Sequence, residues 1–291
     1  MVFEFMGHTG IRENYWGKGC AVLTIFCGRA GDRNARAMAG AQALGKALAA
    51  ATGLEPQQFG MPEPPLAAGW EFELDAARPA LKELGRTLAA AIGAGQRPLT
   101  VMGRCAAGLG TLPVIAKRWP DAAIVWFDAH GDCNTPEGTT TGYLGGMVLS
   151  GAAGRWKTGL GGGLDLSRVV LVGARDLDPA ERAMIDQGKI LLVRPTDDLP
   201  TRLDAALAGR PAYVHLDCDV LNPGIVATEF QVPGGLSLGE LRNACAVLAK
   251  SGIVGIEIAE FEGSWADGKS VDPAPLIAAL EPLLAALKPT A

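Results

Sequence analysis

Residues 123–132 read AIVWFDAHGD, an apolar run that ends in two aspartates on either side of a histidine. The run Ala123–Phe127 predicts a buried strand, because it has no polar position on either face. Asp128, His130 and Asp132 follow at every second position, so an extended backbone would place them on one face. Carboxylate and imidazole groups that converge on one point suit Mn²⁺, Fe²⁺ or Zn²⁺. For this segment alone, loop residues that cap turns are an open alternative.

A second apolar run, residues 212–219 (AYVHLDCD), ends in the same way. Asp217 and Asp219 repel each other unless a cation or a proton lies between them. Two strand ends with this feature predict a shared metal site. His215 faces the same side as Asp217 in a strand, and two interpretations stay open for it: a hydrogen-bonded core histidine, or a group that orients an aspartate ligand.

The rest of the chain alternates apolar runs with Ala/Leu-rich helical patterns, which predicts one α/β domain over residues 1–291. We expect a three-layer αβα fold whose central sheet is mostly parallel, with functional residues beyond the carboxyl ends of the strands. The further predicted strands are 21–27, 99–102, 169–172, 190–193 and 254–259. The predicted helices are 35–52, 78–92, 107–118, 179–187, 238–251 and 273–287, with Pro79 in the first turn of the second.

Composition narrows the class of partner. The chain has 291 residues and a net charge of −5, from 31 acidic and 26 basic residues with no basic stripe. We therefore expect no nucleic-acid and no membrane partner. Residues 1–16 lack the pattern of a signal peptide, His8 is expected to be exposed, and six scattered cysteines indicate reduced thiols in a cytoplasm.

The motifs resemble those of the ureohydrolase (arginase–agmatinase) family, which read D-A-H-x-D and D-x-D-x-x-D-P. The likeness extends along the chain. Residues 101–106 (VMGRCA) look like the family's G-G-D-H-S stretch, residues 173–181 (GARDLDPAE) like its G-x-R-D-x-D-P-x-E run, residues 232–236 (VPGGL) like its P-G-G-L turn, and residues 257–260 (EIAE) like its late acidic strand end.

The resemblance implies an arginase-like fold and two Mn²⁺ ions whose shared water attacks a guanidinium carbon. It would make Asp128 and Asp217 the bridging ligands, with His130 and Asp219 completing one half-site. Asp132 would belong to the other half-site and is, with Glu260, a candidate catalytic residue. Glu260 matches the acid that grips the substrate guanidinium.

The chain also departs from the family pattern at several positions. Cys105 stands where the family has a histidine ligand, and either it is a metal ligand or it packs beside the site without ligating. Gly145 stands where arginases have a proton-handling histidine. Asn222 replaces the third acid of D-x-D-x-x-D-P, and Arg104 replaces the aspartate of G-G-D-H. We expect the half-site of Cys105 to bind Mn²⁺ weakly or not at all.

The positions that bind the α-carboxylate and α-amino groups of a substrate, its amino-acid head, match the family pattern better than those of the metal site do. The resemblance implies that Asn134, Thr139 and Thr141 hold an α-carboxylate and that Asp178 and Glu181 address an α-amino group. Loop polarity and helix capping are the alternative for these residues. Tyr143 replaces a small polar residue of the family in the same loop and is expected to narrow the pocket.

The sequence thus predicts a metal-dependent hydrolase of a linear amidine C–N bond, acting on a guanidino or hydroxyguanidino amino acid. One or two Mn²⁺ ions are expected, in a cytoplasmic homo-oligomer. The rival hypothesis is a pseudoenzyme whose impaired metal site serves to bind a ligand or a partner subunit.

Overall fold

The computed structural model describes residues 20–287. The predictions for residues 1–16 and for His8 lie outside these residues. Within them, no helix combines the length and the apolar character that a membrane crossing requires.

Eight parallel strands form the central sheet, in the order β2-β1-β3-β8-β7-β4-β5-β6. They are β1 (Ala21–Phe26), β2 (Pro56–Phe59), β3 (Arg97–Met102), β4 (Ala123–Phe127), β5 (Val169–Val172), β6 (Leu191–Val193), β7 (Ala212–Asp217) and β8 (Ile253–Ala259). The predicted fold class is confirmed, and the sheet is parallel throughout.

The helices cover both faces of the sheet. They are α1 (Arg36–Thr52), α2 (Trp70–Gly93), α3 (Gly108–Arg118), α4 (Val148–Ala152), α5 (Pro179–Asp186), α6 (Leu199–Leu207), α7 (Leu238–Ser251) and α8 (Ala274–Ala286). One core cluster joins α1, α6, α7 and α8 to the sheet, and the other joins α2, α3, α4 and α5. Successive residues of β4 enter different clusters, Val125 the first and Trp126 the second, as the period of a strand requires.

Three element predictions needed correction. Helix α2 begins at Trp70 and not at residue 78, so Pro79 lies inside the helix and not in its first turn. The backbone group that loses its partner there is the carbonyl of Asp75, an exposed residue that water can reach. The edge strand β2 was missed because its sequence, PQQF, is polar and mostly exposed, and α6 was missed because it buries only one row of leucines.

Candidate metal centre and active site

The site lies where the four central strands end. In the order β3, β8, β7 and β4 these strands are neighbours, and their carboxyl ends meet at one edge of the sheet. Cys105 follows β3, Glu260 follows β8, Asp217 ends β7 and Asp128 follows β4. Segments far apart in the sequence therefore bring their polar side chains together.

The chain after β4 does not stay extended, so the premise of the alternating-face argument was wrong. Asp132 has a φ of 50°, a left-handed conformation that is uncommon outside glycine. Asp128 is fixed by hydrogen bonds that its carboxylate accepts from Trp126 Nε1 at 2.9 Å and from the His130 backbone nitrogen at 2.6 Å. The side chains still converge, because the turn brings Asp132 back toward the end of β4. Ligand atoms of Cys105, Asp128 and Asp132 lie within 4.8 Å of one another.

His130 joins the two acidic segments. Its Nδ1 lies 3.1 Å from Asp128 Oδ1 and 3.1 Å from Asp219 Oδ2. Burial alone would lower the pKa of His130, but the hydrogen bonds and charges of the two aspartates raise it to about 12. Burial likewise opposes ionisation of Asp128, and its hydrogen bonds with His130 nevertheless lower its pKa to about 2. In the metal-free protein a protonated imidazole thus supplies positive charge between the two carboxylates.

Three further carboxyl groups, those of Asp132, Asp217 and Asp219, lie close together in the buried site, which disfavours their ionised forms. Burial, followed by the charges of neighbouring aspartates, raises the pKa of Asp132 and that of Asp217 well above the ordinary value. For Asp219 the same causes raise the pKa to about 6. Acids that repel one another in a buried cluster favour a bound cation, which removes the repulsion.

The donor set of this cluster fits metal ions. One group of ligand atoms comes from Asp128, His130 and Asp219, a second from Cys105, Asp128 and Asp132, and a third from Cys105, Asp217 and Glu260, with the atoms of each group within 4.8 Å of one another. Oxygen and imidazole donors make up the first group, and a thiol joins the other two. The sulfur therefore lies within the cluster of ligand atoms.

The Cys105 thiol also contacts Asp217 and the buried His215. Its Sγ donates to Asp217 Oδ2 at 3.1 Å and lies 3.1 Å from His215 Nε2. His215 Nδ1 is 2.7 Å from Glu257 Oε1, and the imidazole is stacked on Trp126 with ring centroids 3.4 Å apart. His215 is thus a fully buried, hydrogen-bonded histidine whose contact with the centre goes to Cys105 and not to an aspartate.

Arg104 is fully buried, and four carboxylates surround it. Its guanidinium nitrogens lie 3.2 Å from Asp32, 2.6 Å from Glu229, 2.7 Å from Glu260 and 3.2 Å from Glu262. Only an arginine can present several N–H groups to so many acceptors at once.

Glu260 stands between Arg104 and the cavity. Its Oε2 accepts from Arg104 and its Oε1 accepts from the Cys105 backbone nitrogen at 2.9 Å. Its φ of 63° makes it the second site acid in the left-handed region, after Asp132. Strained backbone at two positions that line one cavity is typical of functional sites.

The proposed head-binding residues lie mostly at the same cavity, whose lining includes Asn134, Thr141, Asp178 and Glu181. Thr139 is not among the lining residues, and its hydroxyl accepts from the Gly142 backbone nitrogen at 3.1 Å. Asn134 Nδ2 donates to Asp178 at 2.6 Å, and this contact ties the two groups of residues together.

Glu181 carries a structural role that the resemblance did not assign. Its carboxylate accepts from the Asp178 backbone nitrogen at 3.0 Å and from the Cys133 backbone nitrogen at 2.9 Å. It thereby caps α5 and fixes the loop after β4. Helix capping thus occupies Oε2, and the loop after β4 occupies Oε1.

Tyr143 occupies the space beside Gly145. A Cβ atom at position 145 would lie 2.4 Å from Tyr143 Cε1, far inside contact distance, so the ring fills the volume that a side chain there would need. The Arg33 guanidinium lies 4.8 Å above the Tyr143 ring, and the Phe230 ring meets it edge-on with centroids 5.4 Å apart. All three side chains line the cavity.

Sequence reasoning missed several of these residues. Arg33, Asp32, Glu229 and Phe230 lie in loops that carry no motif, and their contacts depend on the fold. The signal that could have identified Glu257 is an acid in the middle of an otherwise apolar strand, directly opposite His215 in the register of β7 and β8. Asn222 accepts from the Gly234 and Gly235 backbone nitrogens at 3.1 and 2.9 Å, so it holds a turn.

Comparison with known proteins gives three findings. The model of the arginase family matches residues 20–272. An N(omega)-hydroxy-L-arginine amidinohydrolase of Streptomyces lavendulae is 36% identical over 239 residues, which cover 82% of this chain and 88% of that protein. An arginase of Bacillus caldovelox is 34% identical over 195 residues, which cover 60% of this chain and 65% of that enzyme.

Solved structures share the fold. The Entamoeba histolytica arginase, determined in complex with L-ornithine, superposes with a TM-score of 0.77 at 19% identity and covers 91% of this chain and 97% of that one. A putative agmatinase from Clostridium difficile gives a TM-score of 0.69 at 16% identity, covering 92% and 98%.

Proposed function

Because the chain belongs to the arginase family, we propose that it hydrolyses the amidine C–N bond of a guanidino amino acid in a metal-dependent reaction. The observation that carries this proposal is the meeting of His130, Asp132, Asp217, Asp219 and Glu260 at one cavity, at the ends of four neighbouring strands, with Asp128 in the same groups of ligand atoms. The pseudoenzyme hypothesis gains no support from the relatives, which are named as enzymes. We treat residues 20–272 and the helix that follows as one domain, since a single sheet runs through them.

The proposed metal ligands are Asp128, His130, Asp217 and Asp219 for one half-site, and Asp128, Asp132, Asp217 and Cys105 for the other. Mn²⁺ is the proposed ion, because most of these donors are oxygen or imidazole nitrogen. A bound cation pair lowers the pKa of a shared water and so supplies a nucleophile near neutral pH. The residues of the chain position the substrate against that nucleophile.

Glu260 is proposed to hold the amidine end of the substrate. Its carboxylate is fixed in direction by the hydrogen bonds from Arg104 and from the Cys105 backbone nitrogen, and each oxygen keeps a further lone pair for the substrate. Asn134, Thr141 and Asp178 are proposed to hold the amino-acid head at the outer end of the cavity. A site with polar groups for a charged head rejects substrates that lack it.

Among guanidino amino acids we propose an Nω-hydroxylated one as the preferred substrate. The Streptomyces lavendulae relative, similar over most of both chains, is named for this substrate. Gly145 offers no side chain to carry a proton to the leaving amine, and Arg104 already places one guanidinium on Glu260. A hydroxyguanidine is less basic than a guanidine, so less of it carries the full positive charge that would compete with Arg104.

The experiment compares Mn²⁺-loaded protein on Nω-hydroxy-L-arginine, L-arginine and agmatine, with release of the amine product as the measurement. We expect turnover of Nω-hydroxy-L-arginine above that of L-arginine, and the least with agmatine, which has no α-carboxylate. Asp128→Asn is the matched inactive control, since it changes no volume and removes the charge shared by both half-sites. If none of the three compounds releases an amine product, the proposal is refuted.

A further inference from the structure

Two buried polar atoms on side chains that line the cavity, Asn134 Oδ1 and the Tyr143 hydroxyl, form no hydrogen bond within residues 20–287. The Tyr143 hydroxyl is buried, and no group of residues 20–287 forms a hydrogen bond with it. Leaving a buried hydroxyl unsatisfied costs about 1–3 kcal/mol. Such a group needs an explanation, and a ligand that completes the hydrogen bond during function is one.

The ring that carries this hydroxyl is held in place. Gly145 makes room for it, since a Cβ atom there would lie 2.4 Å from Tyr143 Cε1. Arg33 covers one side of the ring and Phe230 meets it edge-on. The Tyr143 backbone nitrogen donates to Thr141 Oγ1 at 3.2 Å, which fixes the loop. The hydroxyl is thus preorganised, and little conformational entropy is lost when it binds a ligand.

Tyr143 lines the same cavity as Cys105 and Glu260, two members of the cluster of ligand atoms. Burial and the charge of Glu260 raise the pKa of the hydroxyl well above its ordinary value. It therefore remains a neutral donor and acceptor at any working pH.

We propose that the Tyr143 hydroxyl is the partner of the substrate's Nω-hydroxyl group and so determines the preference for a hydroxyguanidino over a guanidino amino acid. The inference rests on the proposed function, in which Glu260 holds the amidine end. A substrate hydroxyl on the terminal nitrogen then lies beside Tyr143, where it completes the missing hydrogen bond. A plain guanidino substrate leaves the buried hydroxyl unpaired, so the site binds it less well than the hydroxylated substrate.

The test is Tyr143→Phe, which removes only the oxygen atom. We expect kcat/KM for Nω-hydroxy-L-arginine to fall about 10- to 100-fold, while the value for L-arginine changes by less than about twofold. Because the hydroxyl has no partner in the free protein, the melting temperature should stay the same or rise. The comparison variant is Tyr213→Phe, whose hydroxyl donates to Glu257 at 2.7 Å, and this variant should lose stability.

Calorimetry gives a second readout, independent of turnover, with Nω-hydroxy-nor-L-arginine and nor-L-arginine as ligands of the Mn²⁺-loaded protein. The wild type should bind the hydroxylated ligand more tightly, and Tyr143→Phe should erase the difference. Equal losses for both substrates, or an undiminished preference in Tyr143→Phe, would overturn the role of Tyr143 while leaving the proposed function intact. If the wild type neither turns over nor binds any of these compounds, both proposals are wrong.

Discussion

Replacing Arg104 by methionine keeps an unbranched side chain but removes the cation on which four carboxylates converge. Asp32, Glu229, Glu260 and Glu262 lie 2.6–3.2 Å from its guanidinium, and each would lose a charged hydrogen-bond donor. Removing one partner of a buried ion pair costs about 3–5 kcal/mol. In a domain of this size that corresponds to a fall in melting temperature of roughly 6–20 °C.

The loss should depend on pH, and its sign follows from Asp32. Burial outweighs the attraction of Arg104 and raises the pKa of Asp32 from 3.8 to about 6. Without Arg104 this pKa rises further, so the folded variant binds a proton that the unfolded chain releases. The deficit of the variant relative to the wild type therefore grows as pH rises above about 6, between the pKa of Asp32 in the wild type and its higher pKa in the variant, and it shrinks below about 6.

The assay is denaturant unfolding of wild type and Arg104→Met, followed by tryptophan fluorescence between about pH 5 and 8 with a chelator present, so that metal binding does not contribute. Arg86→Met is the control, because Arg86 is largely exposed and pairs only with Glu83, so its loss should cost less than about 0.5 kcal/mol. An Arg104→Met deficit below about 1 kcal/mol at pH 8, or one that does not shrink on acidification, would refute the reasoning.

Three further predictions concern the centre itself. Cys105→His should raise the Mn²⁺ bound per chain from about one to two, since imidazole suits this ion better than a thiol. Metal analysis checks this, and two equal tight sites in the wild type would contradict it. Mn²⁺ affinity should rise with pH through about 6 as Asp219 loses its proton, with proton release measurable by calorimetry in buffers of different ionisation enthalpy. A flat profile would count against Asp219 as a ligand. Gly145→His combined with Tyr143→Ser should raise L-arginine turnover at least about 10-fold above either single variant, because the Tyr143 ring no longer fills the space of the new imidazole. A double variant no faster than Gly145→His would show that the Tyr143 ring does not limit turnover.

The strands that carry the acids could be predicted from the sequence, because β4 and β7 are apolar without interruption and end in charged residues. Elements with weak patterns could not. Strand β2 is an exposed polar edge, and the first turns of α2 precede a proline that usually marks a helix start. Local pattern identifies an element only where burial imposes a period.

The site divides in the same way. Aspartates at strand ends were evident from spacing, whereas the partners of Arg104 come from positions 32, 229, 260 and 262, and no local signal joins them. Gly145 was identified as the position that lacks a proton-handling histidine, but spacing did not show that the Tyr143 ring fills the space beside it. Contacts between distant loops depend on the register of the whole sheet, which spacing within one segment does not encode.

The position of β8 in the sheet affects the order in which the centre can assemble during synthesis of the chain. This strand, the eighth in chain order within residues 20–287, is inserted between β3 and β7, so β1–β3 and the β4–β7 group share no sheet edge until it arrives. The hydrogen bond from the Cys105 backbone nitrogen to Glu260 closes a loop of 155 residues, against 90 for the one from the Ala129 backbone nitrogen to Asp219. Long loops of this kind form late in folding. On the ribosome, the aspartate half of the centre can therefore gather once β7 has emerged, whereas the half that contains Cys105 and Glu260 has to wait for β8.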